Sequence, residues 1–408
     1  MTTQRYVSTS CSAGSQEPRL ASSPDNVWNV NFNNGNSNWN NQNNKFFVRA
    51  VRSAGEYQGE VSFRELCDAL KLARKGKVPS ENQFAFDSNW IDRLLELQHA
   101  LNSGEWAPGP TTCFIAKHPK ARQIHAPDFA DRVVHHWLVP KLEALFEPGF
   151  IFDSYANRTG KGTHAAVNRL RDFVREVDSG QGGGWYLQLD VRNFFNSVHR
   201  PTLWAILKHH LVRSHAPLIV QRTTHALLRT GLDPSLIVHR STAAERACVP
   251  AHKRLENAAP GCGLPIGNLS SQFFANVYLN KLDQFVKHQR RAKRYLRYVD
   301  DFVLVHHDRA QLEAWQSQIE EFLRHELQLE LKADIKLRPI STGIDFLGYV
   351  VYPTHTRVRR RVVRHAFSAI QKAKPDRRRA VLASYLGHFS HANAYWLSKS
   401  LIASQENS

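Results

Sequence analysis

The stretch Tyr295-Leu296-Arg297-Tyr298-Val299-Asp300-Asp301-Phe302-Val303-Leu304-Val305 constrains this chain more than any other. Two apolar, β-branched or aromatic runs flank two adjacent carboxylates, the pattern of a β-hairpin whose tight turn carries the acids. Asp is a common turn residue, so a solvated turn is the plain alternative. Acids held at a hairpin tip point their oxygens outward, which suits Mg²⁺, an ion that keeps open positions for phosphate and water. A second acid lies upstream in Trp185-Tyr186-Leu187-Gln188-Leu189-Asp190-Val191-Arg192-Asn193-Phe194-Phe195. There an apolar strand ends at Asp190, and an aromatic turn leads into a helix. A strand-end carboxylate beside a hairpin-borne pair is the minimum for a two-metal site. Two ions roughly 3.5–4 Å apart stabilise the attacking and leaving oxygens of an in-line phosphoryl displacement.

These two segments resemble motifs A and C in the palm of a reverse transcriptase. The resemblance implies Asp190 and Asp300 as metal ligands, Asp301 as the neighbouring acid, and help from the backbone carbonyl of Val191. It implies two Mg²⁺ ions, for which Mn²⁺ can substitute. Between the segments lies Gly263-Leu264-Pro265-Ile266-Gly267-Asn268-Leu269-Ser270-Ser271-Gln272-Phe273-Phe274-Ala275-Asn276. It is similar to the motif before the long palm helix, where most of the family carry Gln before the glycine and Ser-Pro at the end. Ile266 and Ser271-Gln272 depart from that pattern. The departure resembles the reverse transcriptases of diversity-generating retroelements, which copy a template repeat with errors at adenines into a target gene.

Other expectations rest on the same resemblance. Gly343-Ile344-Asp345-Phe346-Leu347-Gly348-Tyr349 is similar to the primer grip, which assigns Phe346, Leu347 and Gly348 to that role. Phe195 stands where the family places a ring beneath the incoming sugar. Core packing is its alternative, although the neighbouring Phe194 can do that instead. Residues 112–127 look like a basic fingers hairpin. Within it Arg122 matches the Arg that holds the triphosphate, in keeping with the bidentate geometry of a guanidinium. Lys117 matches the corresponding Lys more loosely, and a surface charge is the alternative for Arg122. Ile266 and Gly267 would face the incoming nucleotide. The family's proton donor to pyrophosphate falls in a segment holding both Lys332 and Lys336, of which Lys336 is taken. The resemblance covers roughly residues 60–398.

The implied architecture is α+β: a right-hand polymerase with fingers, a palm of antiparallel sheet packed on helices, and a short helical thumb. The expected divisions are 1–55 as an Asn-rich disordered tail, 56–185 as fingers with N-terminal helices, 186–350 as palm, and 351–408 as thumb and tail. Of residues 26–44, eleven are Asn. Composition alone reads as a polar low-complexity segment. The phrase running on through residue 52 also looks like the variable end of retroelement target proteins, so it is read as template-repeat sequence caught in the reading frame. Helices are expected over 62–105 with a break at Pro79, after Asp128 through 145, and over 163–178, 200–232, 309–327 and 361–401. Residues 238–262 read as a long loop.

Charge supports a nucleic-acid partner. Lys plus Arg number 54 against 36 acids, a formal net charge of +18. The basic residues cluster at 287–297, 357–364 and 372–379. Such clusters are the footprint of phosphate contacts, although any one alone is commonly a solvated face. Five scattered cysteines without a Cys-x-x-Cys pair argue against a disulfide framework or a structural zinc site and for a reducing setting. No apolar run is long enough for a membrane span, and there is no signal-peptide pattern. The bacterial cytoplasm is the expected location. Adjacent histidines at 135–136, 209–210 and 306–307 diverge on regular structure and read as surface or cleft residues. The expected partners are an RNA template, a DNA or RNA primer, deoxynucleoside triphosphates and a small, basic, oligomeric accessory protein. Two rivals remain. One is a group II intron maturase-like or retron-type enzyme, disfavoured by the lack of a further DNA-binding or endonuclease region. The other is a non-catalytic nucleic-acid-binding scaffold, disfavoured by the intact acids.

Overall fold

The computed structural model describes residues 26–30, 37–41 and 59–406, apart from 77, 118–119, 182 and 230–233. The chain divides into two units, each built from two stretches: 1–148 with 199–274, and 149–198 with 275–408.

In the first unit, Asn26–Val30 pairs antiparallel with Ser37–Asn41. Val and Trp, which favour strands, recur between the asparagines of these two segments. The rest of residues 1–55 lies outside the described residues. Helices Phe63–Arg74, Glu81–Asp87 and Trp90–Ser103 follow, broken around Pro79 as expected. Ser62 and Glu65 form a capping box at the first of them, which satisfies two orphan N–H groups. The hairpin expected over residues 112–127 pairs Thr111–Ala116 with Arg122–Pro127. A third strand, Ile237–His239, joins it in parallel. The stretch read as a long loop thus contributes a strand, and it also contributes the helix Ala243–Ala247. Asp128 caps the helix Phe129–Phe146 by accepting from the Ala130 N–H at 3.0 Å.

Asp131, on the buried face of that helix, accepts the Gly109 N–H at 2.7 Å. Burial nevertheless pushes its carboxyl up to about 7. The native state then holds a proton that the unfolded chain loses near pH 4. The contribution of Asp131 to stability is therefore full at low pH, falls as pH rises from about 4 to about 7, and is flat above that. Asp131→Asn keeps an acceptor without the charge. Melting temperatures of both proteins across this range are expected to differ by a pH-dependent amount, the variant gaining most at pH 7 and above. A constant difference would assign the proton elsewhere. His125 and His135 are pushed down to about 4 and about 3 by burial and slope the other way, equally in both proteins.

In the second unit, the central sheet is built from β1 (Trp185–Asp190), β2 (Tyr295–Tyr298), β3 (Asp301–His306) and β4 (Lys336–Pro339). Its order is β2-β3-β1-β4 and every pairing is antiparallel. Phe302, Val303, Leu304 and Val305 are all buried, because helices cover both faces of β3. This explains why its sequence is a continuous apolar run rather than an alternation. Val167, Leu170, Val174 and Val177 of the Thr163–Gln181 helix pack with Tyr186, Leu296, Val303 and Val305. The Arg309–Leu327 helix packs on β1 and β3 through residues such as Leu312, Ile319 and Leu323. Each such side chain contributes roughly 1.5–3 kcal/mol on full burial. A second, three-stranded sheet joins β5 (Ile344–Phe346), β6 (Tyr349–Val351) and β7 (Thr356–Val358). Helices Arg360–Lys372, Pro375–Phe389 and Tyr395–Glu406 share a small core of Ala366, Ile370, Phe389 and Leu401. The fold class is α+β, as expected.

Cys113, Cys248 and Cys262 are free. Two readings are corrected. His135 is buried rather than on a surface, because it lies on the inner face of its helix. The rings of His306 and His307 stack at 4.1 Å, since β3 ends at His306 and the chain bends there. Among the described residues, no helix is long and apolar enough to cross a membrane.

Candidate active site

The register of the central sheet collects the acids. β1 ends at Asp190, directly opposite Asp301, the first residue of β3. β2 and β3 are joined by the two-residue turn Val299-Asp300, with Tyr298 opposite Asp301. Cross-strand neighbours have Cβ atoms about 4.5–5.5 Å apart, so their carboxylates share one field. The Val191 N–H donates to the Asp300 carbonyl at 3.3 Å, which ties the turn to the end of β1. Val299 has φ +55°, a left-handed conformation rare for a β-branched residue. Strain of this kind persists only where surrounding contacts over-determine it.

Asp190 has two unlike oxygens. Oδ1 is buried without a hydrogen-bond partner, while Oδ2 forms an ion pair with the ammonium of Lys332. Residues 330–332 run beside the end of β1 and deliver that lysine. The Arg192 N–H donates to the Glu330 carbonyl at 2.7 Å, and the Lys332 N–H to the Asp190 carbonyl at 2.8 Å. Asp301 sits deeper. Burial pushes its carboxyl up to about 7 against the N–H donated by Gln188, and the charges of Asp190 and Asp300 push the same way. Lys336, at the start of β4 opposite Gln188, pulls it back down. The amide of Gln188 donates both to Asp301 Oδ1 and to the Asp345 carbonyl, each at 3.2 Å.

The second unit thus brings together Asp190, Val191, Asp300, Asp301, Gln188, Lys332 and Lys336. Just beyond Asp190, Phe194 is buried and Phe195 is half-buried, their rings edge to face at 5.4 Å. Phe346 is buried, and Leu347-Gly348 form the turn between β5 and β6. Both turn residues have positive φ, +50° and +94°, as a type I′ hairpin turn requires. The first unit holds Lys117, Arg122, Ile266 and Gly267. Arg122 is exposed at the start of the strand Arg122–Pro127, and Lys117 is ion-paired with Glu245 at 3.0 Å.

The family model for "Reverse transcriptase (RNA-dependent DNA polymerase)" matches residues 115–351, well over half of the chain. The chain belongs to the reverse transcriptase family. It is 24% identical over 321 residues to protein YkfC of Escherichia coli strain K12, which covers 69% of this chain and 77% of YkfC. It is 22% identical over 229 residues to the group II intron-encoded protein LtrA of Lactococcus lactis subsp. cremoris, covering 55% of this chain and 33% of LtrA. Among solved structures, telomerase from Candida albicans with a fragment of telomeric RNA aligns at TM-score 0.44 and 11% identity. That alignment covers 79% of this chain and 60% of the telomerase chain. As a reverse transcriptase the protein is an RNA-directed DNA polymerase. Its class binds an RNA template and a primer and uses divalent metal ions such as Mg²⁺.

The acids fit such an ion. An orphaned buried oxygen on Asp190 lacks a cation or donor, and the upward push on Asp301 is one that a nearby cation reverses. Among the described residues no three His, Cys, Asp or Glu side chains are placed so that they could hold a metal ion between them. Two residues of this cluster went unassigned in the sequence. Gln188 is a polar residue inside an apolar strand, an anomaly that marks it in retrospect. Lys332 stands among other charges and carries no such signal.

Proposed function

We propose that this reverse transcriptase copies a template-repeat RNA into error-prone complementary DNA for mutagenic retrohoming, with Asp190, Asp300 and Asp301 as its metal-binding acids. The observation that supports the site is the register pairing Asp190 with Asp301, with Asp300 in the intervening turn. When bound, Mg²⁺ lowers the pKa of the primer 3′-hydroxyl and neutralises charge on the departing pyrophosphate. Asp190 and Asp300 would supply carboxylate oxygens to the ion, with the Val191 carbonyl as a further oxygen ligand. Gln188 keeps Asp301 oriented. Phe195 offers its ring to the sugar, while Phe194 packs in the core. The Lys332 ammonium pairs with Asp190 and Lys336 lies near Asp301, so either would be placed to donate a proton at the site. The family resemblance assigns Lys117 and Arg122 to the triphosphate and Phe346, Leu347 and Gly348 to the primer strand. A small, basic accessory protein and a bacterial cytoplasmic setting complete this reading.

The retroelement part rests on Ile266-Gly267 and on the Asn-rich residues 26–44. Ile266 gives the incoming nucleotide bulk without a donor or acceptor, and its β-branch is stiff. An apolar contact discriminates by only about 1–3 kcal/mol, whereas unpaired polar groups reject a wrong partner far more strongly. Ile266→Gln is therefore expected to lower misincorporation opposite template adenine roughly tenfold. The check is sequencing of complementary DNA made on an adenine-rich RNA by both proteins, with the accessory protein supplied if activity requires it. Equal error rates would remove Ile266 as the cause.

The likeness to LtrA favours a second reading, an intron-type polymerase. Flanking DNA decides between them. A repeat matching the codons of residues 24–52 supports the retroelement, and intron boundaries around the gene support the rival.

A further inference from the structure

Arg297 is fully buried, an unusual place for a guanidinium, and it belongs to the strand that leads into the acidic turn. Its charge is met by Asp283, which is equally buried. Nε donates to Oδ1 at 2.8 Å and Nη2 to Oδ2 at 2.6 Å, a bidentate fork. Tyr295 adds its hydroxyl to Asp283 Oδ1 at 2.7 Å. The remaining donors are also used. Nη2 reaches Ser154 Oγ at 3.2 Å, and Nη1 reaches Asn276 Oδ1 at 3.2 Å. Nη1 also donates to the Val299 carbonyl at 2.9 Å. The backbone of Arg297 is pinned as well, donating to the Asp153 carbonyl and accepting from the Tyr155 N–H. A buried ion pair stabilises weakly, because desolvation offsets its attraction, so stability alone does not account for this one.

The Val299 carbonyl is the one acceptor in this network that belongs to the acidic turn. Val299 holds the strained left-handed φ, and Asp300 is the next residue. A donor fixed from below holds that peptide in place, and the direction of the Asp300 side chain follows from it. We propose that Arg297, anchored by Asp283, is a positioning residue that sets the Val299 peptide and thereby aims the Asp300 carboxylate for the metal. This rests on the reading of Asp300 as a metal ligand. The fork explains why Arg is needed. A lysine ammonium can meet Asp283 or the Val299 carbonyl, but it lacks the planar reach to hold both.

Three proteins test this: Arg297→Lys, the neutralised pair Arg297→Met with Asp283→Asn, and Asp300→Asn as reference. The neutralised pair covers the case in which the lysine variant does not fold, since it leaves no uncompensated buried charge. Mn²⁺ binding is measured by electron paramagnetic resonance without nucleotide, beside thermal melting and primer extension across Mg²⁺ concentrations. Folded Arg297→Lys, or the folded neutral pair, is expected to bind Mn²⁺ roughly tenfold more weakly, the scale of one hydrogen bond from a charged donor. Its extension activity should recover as Mg²⁺ is raised, with KM for the nucleotide little changed, whereas Asp300→Asn stays inactive at every concentration. A merely structural Arg297 would lower the melting temperature and leave Mn²⁺ affinity at the wild-type value, and that result overturns the proposal. An active Asp300→Asn overturns the ligand reading beneath it, a separate failure.

Discussion

Asp300→Asn and Asp190→Asn are each expected to abolish template-directed DNA synthesis while leaving the fold intact. Asn matches Asp in shape and keeps one oxygen, so the turn and the end of β1 lose charge without losing volume. The loss at Asp190 also frees Lys332. That pair is partly exposed, with side-chain accessibilities of 46% and 34%, and such pairs contribute little to stability. The catalytic loss is of another order. Removing one preorganised electrostatic partner from an active site costs about a hundred- to a thousandfold. A metal ligand acts on both the attacking and the leaving oxygen, so a drop of at least about a thousandfold is expected. Primer extension on an RNA template with Mg²⁺ measures it, and thermal melting controls for the fold. Near-wild-type extension by either folded variant would sink the assignment of that acid.

How much of this was legible in the sequence depends on range. The β2–β3 hairpin was readable because two apolar runs flank the adjacent carboxylates, although the turn itself is Val299-Asp300 and Asp301 already belongs to β3. The end of β1 was readable because the apolar run stops at Asp190. The helix after Asp128 was readable from its cap, and the Arg309–Leu327 helix from its spacing of Leu312, Ile319 and Leu323. The order of strands in the central sheet was not, since pairing between strands more than a hundred residues apart leaves no local trace. The same holds for side chains. Lys332 reaches Asp190 across 142 positions, and a spacing that left Lys332 and Lys336 both open could not show which lysine runs beside the strand end. Arg297 and Asp283 read as ordinary charges in a basic segment, because nothing local distinguishes a buried guanidinium from a solvated one. The parallel strand Ile237–His239 hid in a polar stretch because its pairing, not its own three residues, makes it a strand.

Gly267→Ala is the second substitution with a large expected effect, and its argument is geometric. Gly267 has φ +126°, a region that residues with a Cβ rarely adopt. A Cβ built there would lie 2.7 Å from the His125 carbonyl oxygen and 3.0 Å from Ile124 Cγ2. The His125 N–H meanwhile donates to the Ile266 carbonyl at 2.7 Å, so the segment lies against the strand Arg122–Pro127 like an added edge. An alanine must either distort its own backbone or push residues 266–267 off that strand. Backbone strain of this kind costs roughly 1–3 kcal/mol, and overpacking against a rigid carbonyl costs about as much. A destabilisation of about 3 kcal/mol is therefore expected in denaturant unfolding. If Ile266 faces the incoming nucleotide, a shift of about 1 Å there also lowers extension by roughly a hundredfold at temperatures where the variant stays folded. Unchanged stability would mean that the glycine is not held by this contact. Lost stability with full activity in the folded fraction would separate the fingers contact from nucleotide binding and move the fidelity argument away from Ile266.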